Sequence, residues 1–217
     1  MPRVLLTAFG PYGEWSENAS WLALQALMRD APHGVDLTTR RYPVDFQGLR
    51  ERMAADLVSR YDVAIHLGQA PGSGVVRLES VGINQAREVQ EEGTEVRELE
   101  PGGPAAYRST LPLDAWARML CDEGIPAKVS SHAGDYLCNA SLYWSHHFTA
   151  GLPEPPRAVM VHIPLDLSQA AKSEKELPSM PVEISAFAVR RLLESLASPS
   201  LGFGEGGPQA VSSGGVA

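Results

Sequence analysis

Cys138 stands in the stretch SHAGDYLCNASLYWSHH, where a strand-like run, Ala127 to Ser131, gives way to a helix-like run, Leu137 to Phe148. A thiol at the start of a helix faces unpaired backbone N–H groups and the positive end of the helix dipole, and both favour thiolate. A thiolate that attacks a carbonyl also needs a base that later protonates the leaving group, and an imidazole base needs a partner on its second nitrogen. His162 lies near the carboxyl end of the apolar run RAVMVHI. Glu79 lies inside VVRLESVGI, where a carboxylate is either exposed on one face or paired. Cys138, His162 and Glu79 are therefore candidates for nucleophile, base and orienting acid. Triads have no fixed order along a chain, so what joins these three is their shared place at or near one edge of the predicted sheet.

Other groups could shape a ligand slot beside that edge. Phe9 and Tyr12 sit in FGPYG, a turn at the carboxyl end of the first predicted strand, where ligands of α/β proteins commonly bind. Asn18 is either the cap of the next helix or a hydrogen-bonder in the slot. Gly68-Gln69-Ala70-Pro71-Gly72-Ser73-Gly74 lacks the Lys-Ser/Thr of a phosphate loop and is followed by a strand, so it reads as a loop bringing backbone amides and Gln69 towards a small ligand. His66, inside an apolar strand, reads as a core histidine, and Cys121 as structural. His146 and His147, further along the helix from Cys138, read as surface residues.

The elements that must position these groups follow from periodicity. Arg3 to Ala8, Thr38 to Val44, Asp62 to Leu67, Val75 to Ile83, Ala127 to Ser131 and Arg157 to Ile163 are strand-like. Helical spacing joins Trp21, Leu24 and Met28, with Leu27 beside them; then Phe46, Leu49, Met53 and Leu57 behind a capping Asp45; then Leu113, Trp116 and Leu120. The last helix follows Pro181, with Ile184, Ala188 and Leu192 on one face. Glu88 to Gly103 is acidic and aperiodic and reads as a long surface loop. Strands alternating with helices predict a three-layer α/β/α sandwich on a mainly parallel sheet, with an extra hairpin in the acidic segment making it mixed. The expected division is a single domain over 1–197 and an unstructured Gly/Ser/Pro-rich tail over 198–217.

Composition narrows the function classes. The chain has 217 residues, a formal net charge of -8, 44% hydrophobic and 20% charged residues, as expected of one globular domain. No basic run exceeds a pair such as Arg40-Arg41, which argues against nucleic acid and anionic membranes as partners. No apolar run approaches membrane-spanning length, and the start MPRVLLTAFG does not read as a signal peptide, so a cytoplasmic location is expected. Two cysteines make no disulfide framework, no metal-ligand spacing is present, and no cofactor is expected.

The segments LLTAFGPYG, LGQAPG, LESVGIN, GGPAAY, AGDYLCN and VHIPL occur in this order. In them the chain resembles the pyroglutamyl peptidase I, or pyrrolidone-carboxyl peptidase, family of cytoplasmic cysteine peptidases, from about Val4 to about Leu196. The resemblance implies removal of an N-terminal pyroglutamyl residue from peptides, without cofactor or metal, by a homo-oligomer that is often a tetramer. It places the triad on Glu79, Cys138 and His162. It puts Phe9, Tyr12, Tyr136 and Leu137 in a flat apolar slot, with Asn18 and Gln69 near the lactam's polar edge, Gln69 acting through side chain or backbone. The Cys138 N–H, helped by Arg87, would receive the oxyanion. Three positions depart from the family pattern: Tyr12 for phenylalanine, and Val44 and Asp135 for threonine. A carboxylate at 135 would disfavour the thiolate unless it points away as a helix cap. The competing expectations are a non-catalytic protein that binds pyroglutamate or a partner on this scaffold, and, more weakly, a nucleoside- or phosphate-handling enzyme.

Overall fold

A computed structural model describes residues 1–90, 93–197 and 209–211. Its elements in chain order are β1 (Arg3–Phe9), α1 (Ala19–Met28), β2 (Asp36–Tyr42), α2 (Phe46–Leu57), β3 (Val63–Gln69), β4 (Val76–Glu79), β5 (Val81–Ile83), β6 (Ala86–Gln90), β7 (Gly93–Arg97) and β8 (Ala106–Arg108). They continue with α3 (Leu113–Asp122), β9 (Ala127–Ser130), α4 (Leu137–His147), β10 (Arg157–Ile163), α5 (Leu167–Ala170), α6 (Val182–Ala197) and β11 (Gln209–Val211).

The central sheet has the order β2-β1-β3-β10-β4-β9. The first four strands run parallel, β4 runs antiparallel to β10, and β9 follows β4 in parallel. Along β1, β3 and β10 alternate residues enter two apolar clusters, as the two-residue period of a strand buried on both faces requires. On one face Val4, Leu6, Ile65, Leu67, Val159 and Val161 pack under α1, α3 and α6. On the other, Leu5, Ala64, Ala158 and Met160 pack under α2 and α4. The expected three-layer sandwich is thus present, but its mixed character comes from β4 and β9. The acidic segment does form a hairpin, β6–β7, but as a separate two-stranded sheet. What read as a loop from Glu88 is in part these strands, whose exposed ladder has no apolar alternation to reveal it.

Val75 to Ile83, read as one strand, is two. At Ser80 the backbone N–H donates to the Ser130 carbonyl and the carbonyl accepts from Ser109 N–H, which passes the chain from the central sheet to the β11-β8-β5 sheet. Two helix faces also differ from expectation. Met28 is exposed and Trp21 half-buried, because α1 lays the small Ala19, Ser20 and Ala23 against the core together with Leu24 and Leu27. Ile184 is exposed on α6, which buries Ala188, Val189, Leu192 and Leu193. The tail 198–217 lies outside the described residues except for Gln209–Val211, a short strand antiparallel to β8. No helix among the described residues is long and apolar enough to cross a membrane.

Candidate active site

The start of α4 is built from the turn before it. Gly134 takes φ +82, a left-handed conformation that suits glycine, and Tyr136 then enters the helix in extended conformation. No side chain among the described residues caps α4, so its first-turn N–H groups, which have no partner within the helix, stay available at Cys138. Asn139 fastens this turn to the neighbouring sheet. Its Oδ1 accepts from Ile83 N–H at 2.8 Å, and its Nδ2 donates to the carbonyls of Ile83 at 2.9 Å and Gln85 at 2.8 Å.

Beneath Cys138 lies Gly68, the register partner of His162 on the next strand. A Cβ at position 68 would fall 2.7 Å from Cys138 Sγ and 3.0 Å from His162 Cδ2. The bare glycine is therefore what lets the helix start sit down on the sheet beside the imidazole. The Cys138 sulfur and the His162 ring both border the space above Gly68, and the His162 Nδ1–H donates to Glu79 Oε1 at 2.8 Å. The carboxylate is fully buried and the imidazole nearly so. Burial alone would lower the His162 pKa, but the charges of Cys138 and Glu79 and the hydrogen bonds to both outweigh it and raise it to about 9. Burial would raise Glu79, but the His162 hydrogen bond, then the neighbouring Ser130 and Arg77, hold it below its ordinary value. At neutral pH the site therefore holds an imidazolium between a buried carboxylate and the sulfur, the arrangement of a nucleophile with a proton ready for a leaving group.

The three residues reach each other through strand direction. Because β4 is antiparallel to β10, its last residue, Glu79, pairs with Met160 in mid-strand, and Arg77 pairs with His162. Glu79 and His162 are thus diagonal neighbours on one face.

The candidate slot residues fall around α4's start. Tyr12 and Tyr136 have ring centroids 5.5 Å apart, and Phe46, which the sequence had assigned only to the core, meets Tyr136 edge-on at 5.1 Å. Phe9 and Leu137 are buried in the same apolar cluster, with Val44 and Cys138 packed against it. Asn18 is a cap: its Oδ1 accepts from the Ser20 N–H and hydroxyl, while its Nδ2 holds the Gly10 carbonyl at 2.9 Å. It therefore shapes the Phe9–Gly10 turn instead of presenting free polar atoms. The Gln69 Oε1 accepts from Ala19 N–H and Gln169 Nε2, on the α1 side of the sheet, which holds its side chain away from the Cys138 side.

Arg87 Nε donates to Asp135 Oδ2 at 2.5 Å, and Arg87 N–H donates to the Asp135 carbonyl at 2.6 Å. Asp135 is thus neither a cap nor a lone charge: the Arg87 guanidinium pairs with it and ties the β6 strand to the loop before Cys138. His146, expected at the surface, is 1% exposed and stacks on Tyr107. The α4 helix is covered on both sides, by the central sheet and by β5 and β8, so distance along it says nothing about burial. His66 is the core histidine expected: Thr7 Oγ1 and Ser145 Oγ lie 2.8 and 2.7 Å from its ring nitrogens, and burial, with His146 nearby, pushes its pKa down to about 3. Gly68, Arg77 and Asn139 were not singled out as functional from the sequence. Gly68 had been read as the first residue of the loop after a strand ending at Leu67; the strand runs on to Gln69, and a glycine inside a strand marks a close approach.

A surface groove of about 650 Å³ beside α1, with Trp21 and Asp166 in its lining, touches none of the three central residues. No group of three or more His, Cys, Asp or Glu side chains among the described residues is arranged to hold a metal.

The pyroglutamyl peptidase family model matches residues 2–198. The chain is similar to the pyrrolidone-carboxylate peptidase of Thermococcus onnurineus, 35% identical over 186 residues, covering 83% of this chain and 92% of that protein. It is similar also to pyrrolidone-carboxylate peptidase 1 of Ralstonia nicotianae, 36% identical, with 90% and 93% covered. Among solved structures, the pyrrolidone carboxyl peptidase of Fervidobacterium islandicum superposes with a TM-score of 0.85 at 35% identity, over 90% of this chain and 98% of that one.

Proposed function

Since the chain belongs to the pyroglutamyl peptidase family, and is thereby a cysteine-peptidase hydrolase, we propose that it removes N-terminal pyroglutamyl residues from peptides, with Cys138 as nucleophile, His162 as acid and base, and Glu79 as the group that orients the imidazole. The observation that carries this reading is the buried line Glu79–His162–Cys138 at the uncapped start of α4.

The Cys138 thiolate attacks the pyroglutamyl carbonyl, and the oxyanion accepts a hydrogen bond from the Cys138 backbone N–H, with the Arg87 guanidinium nearby as a second positive group. The His162 imidazolium gives its proton to the departing amine as the C–N bond breaks, leaving a thioester. Neutral His162 then takes a proton from water as its oxygen attacks the thioester, and the C–S bond breaks to release pyroglutamate and restore the thiolate beside the imidazolium. Glu79 keeps the Nδ1–H in line throughout. The flat pyroglutamyl ring is received between Phe9, Tyr12, Tyr136 and Leu137, with the Gln69 backbone facing its amide.

A site that hydrogen-bonds the lactam rejects a ring lacking those groups by about 10⁴-fold. Hydrolysis of matched pyroglutamyl and prolyl aryl amides should therefore differ by roughly that factor, and Cys138→Ala should lower turnover by about 10⁴-fold or more. Cleavage of both amides at similar rates, or an active Cys138→Ala protein, would overturn the assignment.

A further inference from the structure

Cys138, His162 and their neighbours define a direction across the sheet. One register row runs through Gly68 on β3, His162 on β10, Arg77 on β4 and Lys128 on β9. The aromatic slot lies on the β1 side of this row, where Phe9 ends β1. The proton donor to the leaving nitrogen, His162, lies on the other side. A departing peptide must therefore lie beyond His162, over β4 and β9.

Two cations wait there. Arg77 shares a strand face with Glu79, whose Oε1 is 3.6 Å from Arg77 Nε. This is the only ion pair Arg77 makes among the described residues, and its Nε has no hydrogen-bond partner there. Its side chain is 31% exposed, and Glu79 is already held by His162. On β9, Ala127 and Val129 pack against the opposite cluster, so Lys128 emerges on the site face, and it is exposed. Strands lie about 4.8 Å apart, which puts the two residues roughly 5 and 10 Å from the His162 strand, within reach of one or two extended residues. Two adjacent cations at this one edge stand out on a chain of net charge -8.

We infer that Arg77 and Lys128 form a carboxylate-binding subsite for the leaving peptide, so that the favoured substrates are short pyroglutamyl peptides whose free C-terminal carboxylate lies one or two residues beyond the cleaved bond. The inference rests on the exopeptidase reading above. An acidic side chain next to the cleaved bond offers the same chemistry, and the arms below separate the two sources.

The test compares kcat/KM for pyroglutamyl-alanine, pyroglutamyl-alanine amide and pyroglutamyl-glutamate amide at low salt. The free acid should exceed the alanine amide by roughly fivefold, and 1 M NaCl, with a Debye length of about 3 Å, should largely abolish the difference. In Lys128→Gln and Arg77→Met the acid-to-amide ratio should fall towards unity. Being a ratio within one protein, it is insensitive to a general loss of folded or active enzyme. A glutamate amide cleaved faster than the free acid would overturn the terminal-carboxylate assignment. A ratio near unity in the unmodified protein, with both peptides cleaved, would sink the subsite and leave the exopeptidase standing. If no pyroglutamyl peptide or aryl amide were cleaved, both readings would fall.

Discussion

Adding one methyl group at Gly68 tests the geometry most sharply. The Cβ of Gly68→Ala would stand 2.7 Å from Cys138 Sγ, 3.0 Å from His162 Cδ2 and 3.2 Å from Met160 Sδ. Non-bonded heavy atoms rest at about 3.5–4.0 Å, so the sulfur must withdraw by about 1 Å, and the imidazole and the Met160 side chain must give by somewhat less. Gly68 does not occupy a positive-φ conformation, so alanine brings no backbone strain, and the whole effect arises from crowding. Overpacking of this size costs about 1–3 kcal/mol of stability. The displaced groups are the proposed nucleophile and base, and a misplacement of about 1 Å costs on the order of 10²-fold in rate, about 2.7 kcal/mol of barrier. Steady-state kinetics on a pyroglutamyl aryl amide, with circular-dichroism melts on the same preparations, should show kcat/KM falling about 10²-fold, chiefly in kcat, while the protein stays folded at the assay temperature. Gly151→Ala, where an added Cβ meets none of the described residues within 4 Å, serves as the control and should match the unmodified enzyme. A Gly68→Ala protein within about threefold of wild-type kcat/KM would show that Cys138 and His162 do not act from the positions described.

Two further outcomes follow from the same site. Because His162 is raised from 6.5 to about 9 in the folded protein, its contribution to stability is complete below about pH 6.5 and is lost as pH rises through about 9. Activity should decline over the same alkaline range as the imidazolium loses its proton, and Glu79→Gln, which removes the supporting anion, should move that limb down by about one unit or more; a pH–rate profile unchanged in Glu79→Gln would contradict the pairing. Asn139→Ala strips partners from Ile83 N–H and from the Ile83 and Gln85 carbonyls, at about 2–4 kcal/mol. For a domain of this size that is roughly a 5–15 °C fall in melting temperature, and a fall under 2 °C would show that the clamp is not holding α4.

Much of this was legible in the chain itself, wherever the information is local. Phe46, Leu49, Met53 and Leu57 recur at helical spacing behind Asp45, and all four are buried on α2 behind that cap. RAVMVHI is one strand, bounded as its apolar run is bounded. The residue types at 79, 138 and 162 suggested an orienting acid, a nucleophile and a base, and the fold brings these three side chains together. Periodicity reports how one element meets its surroundings, and it lost force where two surfaces cover the same helix. His146 on α4 is buried by a second sheet that no count of residues from Cys138 could reveal. Met28 and Ile184 were assigned to faces whose true orientation depended on small residues beside them.

Composition and spacing determined that this chain builds alternating strands and helices and carries one cysteine at a helix start with an imidazole and a carboxylate in nearby strands. Strand direction and register decided the rest. That β4 runs against β10 brings Glu79 back to mid-strand beside His162 and sets Arg77 and Lys128 in line beyond it. That an empty position at Gly68 lies under Cys138 allows sulfur and imidazole to meet. Both depend on pairing between segments far apart in the chain, whose hydrogen bonds and close contacts are set only when the whole sheet has formed.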